Sequence, residues 1–173
     1  MIRRNISVAR RIAATSAIVL IVSTGCSNNT GSDAPGQAPL ITAATLGEQR
    51  LLSASQYLAE PPYATADLDN GAQQAQICRA CHSLERGGPV MIGPVLFGMF
   101  GAPAGRRPDF DYSRALAEAE FVWTPRALDA WLAEPTRFLP GNRMSFAGVR
   151  DMTNRVDLVA YLLKVTDDSG KQE

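Results

Sequence analysis

The run Cys78-Arg79-Ala80-Cys81-His82 constrains this 173-residue chain more than any other feature. It is a CxxCH run, the spacing at which two thiols take covalent bonds to a haem and the following histidine binds the iron. Cysteines three residues apart share one helical turn, so both can reach the vinyl groups along one porphyrin edge. A redox or zinc-binding CxxC is the competing reading. Zinc takes four ligands, usually from a second pair of Cys or His. Cys26 is the only other cysteine and lies far upstream, and His82 is the only histidine. The haem reading is therefore preferred. Two-histidine coordination within one chain is excluded.

The first 25 residues read as an export signal. Arg3, Arg4, Arg10 and Arg11 make a basic start, and an apolar stretch runs from Ile12 to Val22. A confident membrane span needs about 20 apolar residues, more than this stretch supplies. It ends in Ser23-Thr24-Gly25-Cys26, which resembles a bacterial lipoprotein cleavage box with Cys26 as the lipidated residue. An ordinary cleaved signal and an uncleaved anchor are the alternatives. Loss of the four arginines leaves 13 of 17 basic residues against 17 acidic ones, a net charge of −4. Nucleic acid is excluded as a partner on that balance, since its binding rests on clustered Lys and Arg. The only lysines are Lys164 and Lys171.

Residues 26–66 are rich in Ser, Thr, Gly, Pro and Ala and are expected to form a flexible tether, with a helical patch over 47–58 ended by Pro61-Pro62. The folded domain is expected over 67–173. Asp67 or Asp69 can cap a helix running through Cys78, and Gly71 inside it suggests close approach by another backbone. The Gly- and Pro-rich stretch from Gly87 to Gly105 reads as a loop wrapped against something apolar. Ser113 caps a helix ending near Glu120, and Thr124-Pro125 opens one carrying Leu128, Trp131 and Leu132 that Pro135 stops. Thr153 opens the last helix, with Val156, Leu158, Val159, Tyr161, Leu162, Leu163 and Val165 on a broad apolar face. No alternating strand is visible. The fold class is all-α with long loops.

Taken in order, residues 67–165 resemble the class I c-type cytochromes, of the mitochondrial and bacterial monohaem kind. The likeness rests on Cys78–His82, on Gly93-Pro94-Val95-Leu96-Phe97-Gly98, on Phe110-Asp111-Tyr112-Ser113, on Trp123, and on the loop from Pro135 to Gly148. The resemblance implies the cytochrome c fold, four to five short helices and long loops around one covalent haem c. It selects Met144, among Met1, Met91, Met99, Met144 and Met152, as the second iron ligand beside His82. It assigns the Pro94 carbonyl to the far nitrogen of the ligand histidine. Arg107, Tyr112, Trp123 and Asn142 become partners of the haem propionates, and Leu96 and Phe146 walls of the haem pocket. Met91 and Met99 are expected to pack around the haem. Two features depart from the family pattern. Ala75 stands where a large aromatic is usual, leaving Ile77 or Tyr161 to fill the space. The lysine ring around the haem edge is missing, with Arg79, Arg86, Arg137 and Arg143 as the available positive patch.

These readings imply an electron carrier and not an enzyme. There is no second histidine for acid–base work, and His82 and Met144 fill both axial positions. The expected setting is the periplasmic side of a bacterial membrane, tethered by lipid, with an uncleaved anchor or a soluble periplasmic form as alternatives. Partners would be redox proteins of a respiratory or photosynthetic chain. The rival functions are a haem-based sensor of small ligands, in which Met144 is labile, and a cytochrome subunit of a larger oxidoreductase.

Overall fold

The computed structural model describes residues 41–168. The expected export signal, Cys26 and the chain through residue 40 lie outside them. The described helices are α1 (Ala54–Leu58), α2 (Leu68–Arg79), α3 (Arg114–Ala117), α4 (Pro125–Ala133), α5 (Pro135–Phe138) and α6 (Met152–Thr166), with 3-10 turns at Ala43–Thr45 and Tyr63–Thr65. Among the described residues there is no strand, only an isolated bridge between Pro103 and Val122.

The pairing of α2 with α6 frames the domain. Asp67 caps α2 by accepting from the backbone of Asp69 at 2.9 Å and Asn70 at 3.0 Å. Gly71 then lies against α6 so closely that a Cβ would overlap the Asp157 carbonyl and the Tyr161 side chain. Glycine's cost inside a helix is the condition of that contact. Ala75, one turn later, is fully buried, so the crossing is closer than an aromatic there would allow. Of the two residues expected to fill the space, Tyr161 lies beside Gly71. Ile77 is 57 % exposed and faces away from the core. A polar clamp pins the same crossing: buried Asp157 accepts from the Asp67 amide at 2.9 Å and from Asn70 Nδ2 at 2.7 Å.

Several boundaries differ from the sequence reading. Asp151, not Thr153, caps α6, accepting from Asn154 N at 2.8 Å. The shift is one of cap chemistry, because an Asp with the chain extended behind it competes well with a Thr. Helix α3 stops at Ala117, short of Glu120, where Arg106 Nη1 takes the Ala117 carbonyl at 2.6 Å. Thr124 and Pro125 open α4 as expected. Pro135 does more than stop it. It forces Glu134 into an extended conformation and then starts the short helix α5.

The largest difference concerns 41–66. The flexible tether expected up to residue 66 does not extend that far, because this segment is packed onto the domain. Leu46 is 1 % exposed within the main apolar core, and Tyr57, Leu58 and Tyr63 pack against that core. Helix formation begins at Ala54 and not at 47, since Ser53 supplies a capping box with Gln56. Gly47 holds φ of +70°, which breaks any earlier helix. We call residues 41–66 the strap.

Candidate haem-binding site

A cavity of about 690 Å³ lies within the domain, inside the range of small-molecule and cofactor pockets. Its lining includes the nine residues expected to bind the haem: Cys78, Cys81, His82 and Pro94 from the α2 end and the loop after it; Arg107 and Tyr112 from the loop before α3; Trp123 ahead of α4; and Asn142 and Met144 from the loop after α5. Leu96, Met99 and Phe146 line it too. Met91 does not. It is 43 % exposed, so its expected packing role is corrected.

The histidine is held by geometry that follows from the chain. α2 ends at Arg79, and the His82 amide donates back to the Cys78 carbonyl at 2.9 Å, which keeps the CxxCH run in a tight turn. His82 Nδ1 lies 2.7 Å from the Pro94 carbonyl oxygen. A carbonyl only accepts, so Nδ1 carries the hydrogen and Nε2 keeps its lone pair for a metal. Burial lowers the imidazole pKa, opposed by the Pro94 bond. Gly93 seats the ring: any Cβ there would stand less than 3 Å from Cε1, Nδ1 and Nε2. Cys78 and Cys81 are not joined in a disulfide, and burial pushes the Cys78 thiol up.

The sulfur of Met144 is held differently. Trp131 Nε1 donates to Met144 Sδ at 3.3 Å. Trp131 is 5 % exposed and is fixed by edge-to-face contacts with Trp123, 5.5 Å between centroids, and with Phe138, 5.9 Å. Sequence reasoning placed Trp131 only as a packing residue of α4. An amphipathic pattern marks a buried position, but nothing in it tells which group the indole N–H will meet.

Asn142 departs from its expected role. Its Nδ2 donates to the carbonyls of Pro135 and Leu139, both at 2.9 Å, and its Oδ1 accepts from the Met144 amide at 2.9 Å. Both of its donor hydrogens are spent on the loop backbone, so Asn142 shapes the methionine loop and has none for a propionate. Arg107 donates from Nη1 to the Phe97 carbonyl at 3.1 Å and pairs with Asp109 at 3.3 Å. Tyr112 has its pKa raised mainly by burial, with the Arg107 charge opposing. Trp123 stacks edge-on with Phe121 at 4.9 Å.

The four arginines expected to form a positive patch have different surroundings. Arg86 lies 4.8 Å over the Phe97 ring and pairs with Asp168. Arg143 pairs with Asp111 at 3.3 Å, and Arg79 donates to the Tyr161 hydroxyl at 3.3 Å. Nearby acids neutralise two of the four charges. Exposed Ile77 and Ile92, 57 % and 80 %, add apolar surface to a lining that also carries the Arg143–Asp111 pair.

The residues present fit a covalent haem. Two thiols, an imidazole with its outer nitrogen satisfied and a thioether sulfur all open on one large, mostly apolar cavity. Zinc has no comparable site, since no group of three or more His, Cys, Asp or Glu among the described residues could hold a metal ion.

No family model matches the chain. Individual relatives do. The cytochrome c2 of Blastochloris viridis is 35 % identical over 111 residues, which are 64 % of this chain and 87 % of that protein. The cytochrome c of Chlamydomonas reinhardtii is 42 % identical over 89 residues, 51 % of this chain and 80 % of its own length. A cytochrome c homolog of Bradyrhizobium diazoefficiens is 38 % identical over 104 residues, 60 % of this chain. The chain spans only 56 % of that homolog's length and 59 % of its counterpart in Rickettsia felis. Together with the helical fold and the cavity residues, the two smaller relatives, each covered over most of its length, show that this chain belongs to the class I c-type cytochromes.

Proposed function

We propose that the protein is a one-electron carrier holding a single haem c through Cys78 and Cys81, with His82 Nε2 and Met144 Sδ as the two iron ligands. The haem supplies an iron that cycles between Fe(II) and Fe(III). The chain's own residues decide how readily it does so. The Pro94 carbonyl fixes the His82 tautomer and makes the imidazole a better donor. The Met144 thioether is soft and neutral, which favours the reduced state and raises the potential. The Trp131 N–H, donating to the same sulfur, withdraws electron density from it and acts in the same direction. The apolar lining keeps water away, so little solvent has to reorganise when the charge changes.

The observation that carries this reading is the convergence of Cys78, Cys81, His82 and Met144 on one cavity. The test is spectroscopic. The oxidised holoprotein should show a weak sulfur-to-iron band at the red edge of its spectrum, and Met144→Ala should abolish it. Carbon monoxide should not bind the reduced protein at neutral pH, and rapid, full binding would favour a ligand sensor instead.

The proposed setting is the periplasmic face of a bacterial membrane, where redox proteins of a respiratory or photosynthetic chain would donate and accept the electron. No helix among the described residues is long and apolar enough to cross a membrane, so attachment would fall to the N-terminal segment and Cys26. With the strap docked from Ile41, the fourteen residues between Cys26 and the strap can reach at most about 50 Å. The domain would therefore work close to the bilayer. Cys26→Ser should release the protein from membranes. Continued attachment would point to an uncleaved anchor.

A further inference from the structure

The strap precedes every motif that carries the family likeness, yet one of its side chains reaches the frame of the sulfur ligand. Gln49 Oε1 accepts a hydrogen bond from Thr124 Oγ1 at 2.6 Å. Thr124 is 3 % exposed, and the same oxygen accepts from the Ala127 amide at 3.1 Å as the cap of α4. A hydroxyl has one hydrogen to give. Here it goes to Gln49, and without that acceptor a buried donor is orphaned.

Thr124 sits between the two tryptophans of the cavity. Trp123 precedes it directly, and its backbone is tied at both ends, donating to the Ala102 carbonyl and accepting from the Gly101 amide, each at 2.9 Å. Trp131 follows it by seven residues, two turns along α4. The two rings meet edge to face at 5.5 Å, and Trp131 Nε1 donates to Met144 Sδ. Leu46, nearly fully buried, anchors the strap just ahead of Gln49. A continuous set of contacts therefore runs from the strap through the cap of α4 to the methionine sulfur.

We propose that Gln49 is a positioning residue for Met144: by holding Thr124, it fixes the start of α4 and keeps the Trp131 N–H on the sulfur. This rests on the reading of Met144 as an iron ligand. When the strap contact is lost, the ligand loop should give way more readily to an outside ligand.

The experiment titrates imidazole into the oxidised, full-length holoprotein, following the sulfur-to-iron band. Gln49→Ala should raise the apparent imidazole affinity about fivefold, equivalent to ~1 kcal/mol at 1.4 kcal/mol per tenfold. Gln49→Glu should restore the parent affinity, because a carboxylate accepts the same hydrogen. Arg50→Ala, which removes only the exposed strap ion pair to Glu60, should leave it unchanged. In a Trp131→Phe background Gln49→Ala should add little, since coupled residues are not additive. Should Gln49→Ala fail to fold, Gln49→Leu keeps the volume and removes the acceptor. The proposal is overturned if Gln49 variants lower stability in urea yet leave imidazole affinity within twofold, or if Arg50→Ala produces the same rise. Failure of the underlying ligand reading looks different: the parent protein would then lack the band that Met144→Ala abolishes.

Discussion

At the scale of single residues, the site is set by small polar choices inside an apolar shell. Pro94, having no N–H of its own, presents a carbonyl at 2.7 Å that decides which imidazole nitrogen is free. Gly93 beside it is required by contact, since any side chain would overlap the ring. Asn142 satisfies three backbone groups of its loop at 2.9 Å each, and so presets the segment that carries Met144. Trp131 is the residue whose chemistry is most open to test. Trp131→Phe keeps a smaller aromatic against Trp123 and Phe138 and removes the donor to Met144 Sδ. On the proposed ligation by Met144, the sulfur should then become the better donor to oxidised iron. A hydrogen bond worth ~1 kcal/mol that is made with reduced iron and lost on oxidation corresponds to a fall in midpoint potential of at most about 40 mV. An equilibrium redox titration checks this, and an unchanged potential would mean that the indole does not reach the sulfur in the loaded protein.

At the scale of elements, the α2–α6 crossing and the strap divide the labour. The crossing has the close contact at Gly71 and the Asp157 clamp, and it places the CxxCH turn at the cavity. The strap covers the core from the α6 side and touches the cap of α4. Its docking has a titratable signature in Tyr63. Burial raises that phenol well above its ordinary 10.0, and the Asp129 charge raises it further. The folded state thus holds the phenolic proton at pH values where the unfolded chain has released it. Stability from Tyr63 is therefore complete below pH 10 and declines as pH rises beyond it. Tyr63→Phe should flatten this alkaline decline, so that the urea midpoints at pH 8 and pH 11 lie closer together than in the parent. Equal separations in both proteins would show that Tyr63 is not buried in solution.

At the scale of the whole molecule, the packed unit is longer than the stretch that resembles the cytochromes. Residues 67–165 contain all of the family's motifs, but Leu46, Gln49 and Ala54 belong to the same packed body. A holoprotein starting at residue 41 should retain the stability of the mature chain. One starting at residue 67 should lose several kcal/mol, because the site of Leu46 alone would leave a void of the kind that costs about 2–5 kcal/mol in large-to-small substitutions. Thermal unfolding of the two truncations distinguishes the cases, and equal melting would mean that the strap is dispensable.

What the sequence determined by itself was the chemistry and the helical frame. CxxCH with its histidine and the capping residues Asp67, Ser113 and Thr124 are local signals, each written within a few residues, and they carried the helical class and the first three cavity residues, while Met144, Pro94 and the rest of the expected lining came from the resemblance those motifs carry. What only the tertiary structure decided was long-range pairing. Gln49 meets Thr124 across 75 positions and Asp67 meets Asp157 across 90. The tip of Trp131 meets a sulfur on a separate loop. Leu46, isolated among Ala, Thr and Gly, has no periodic neighbours to betray its burial. Periodicity and caps report what a segment does with its own backbone. Which side chain receives a given hydrogen depends on where two distant segments are brought together, and that is decided by packing.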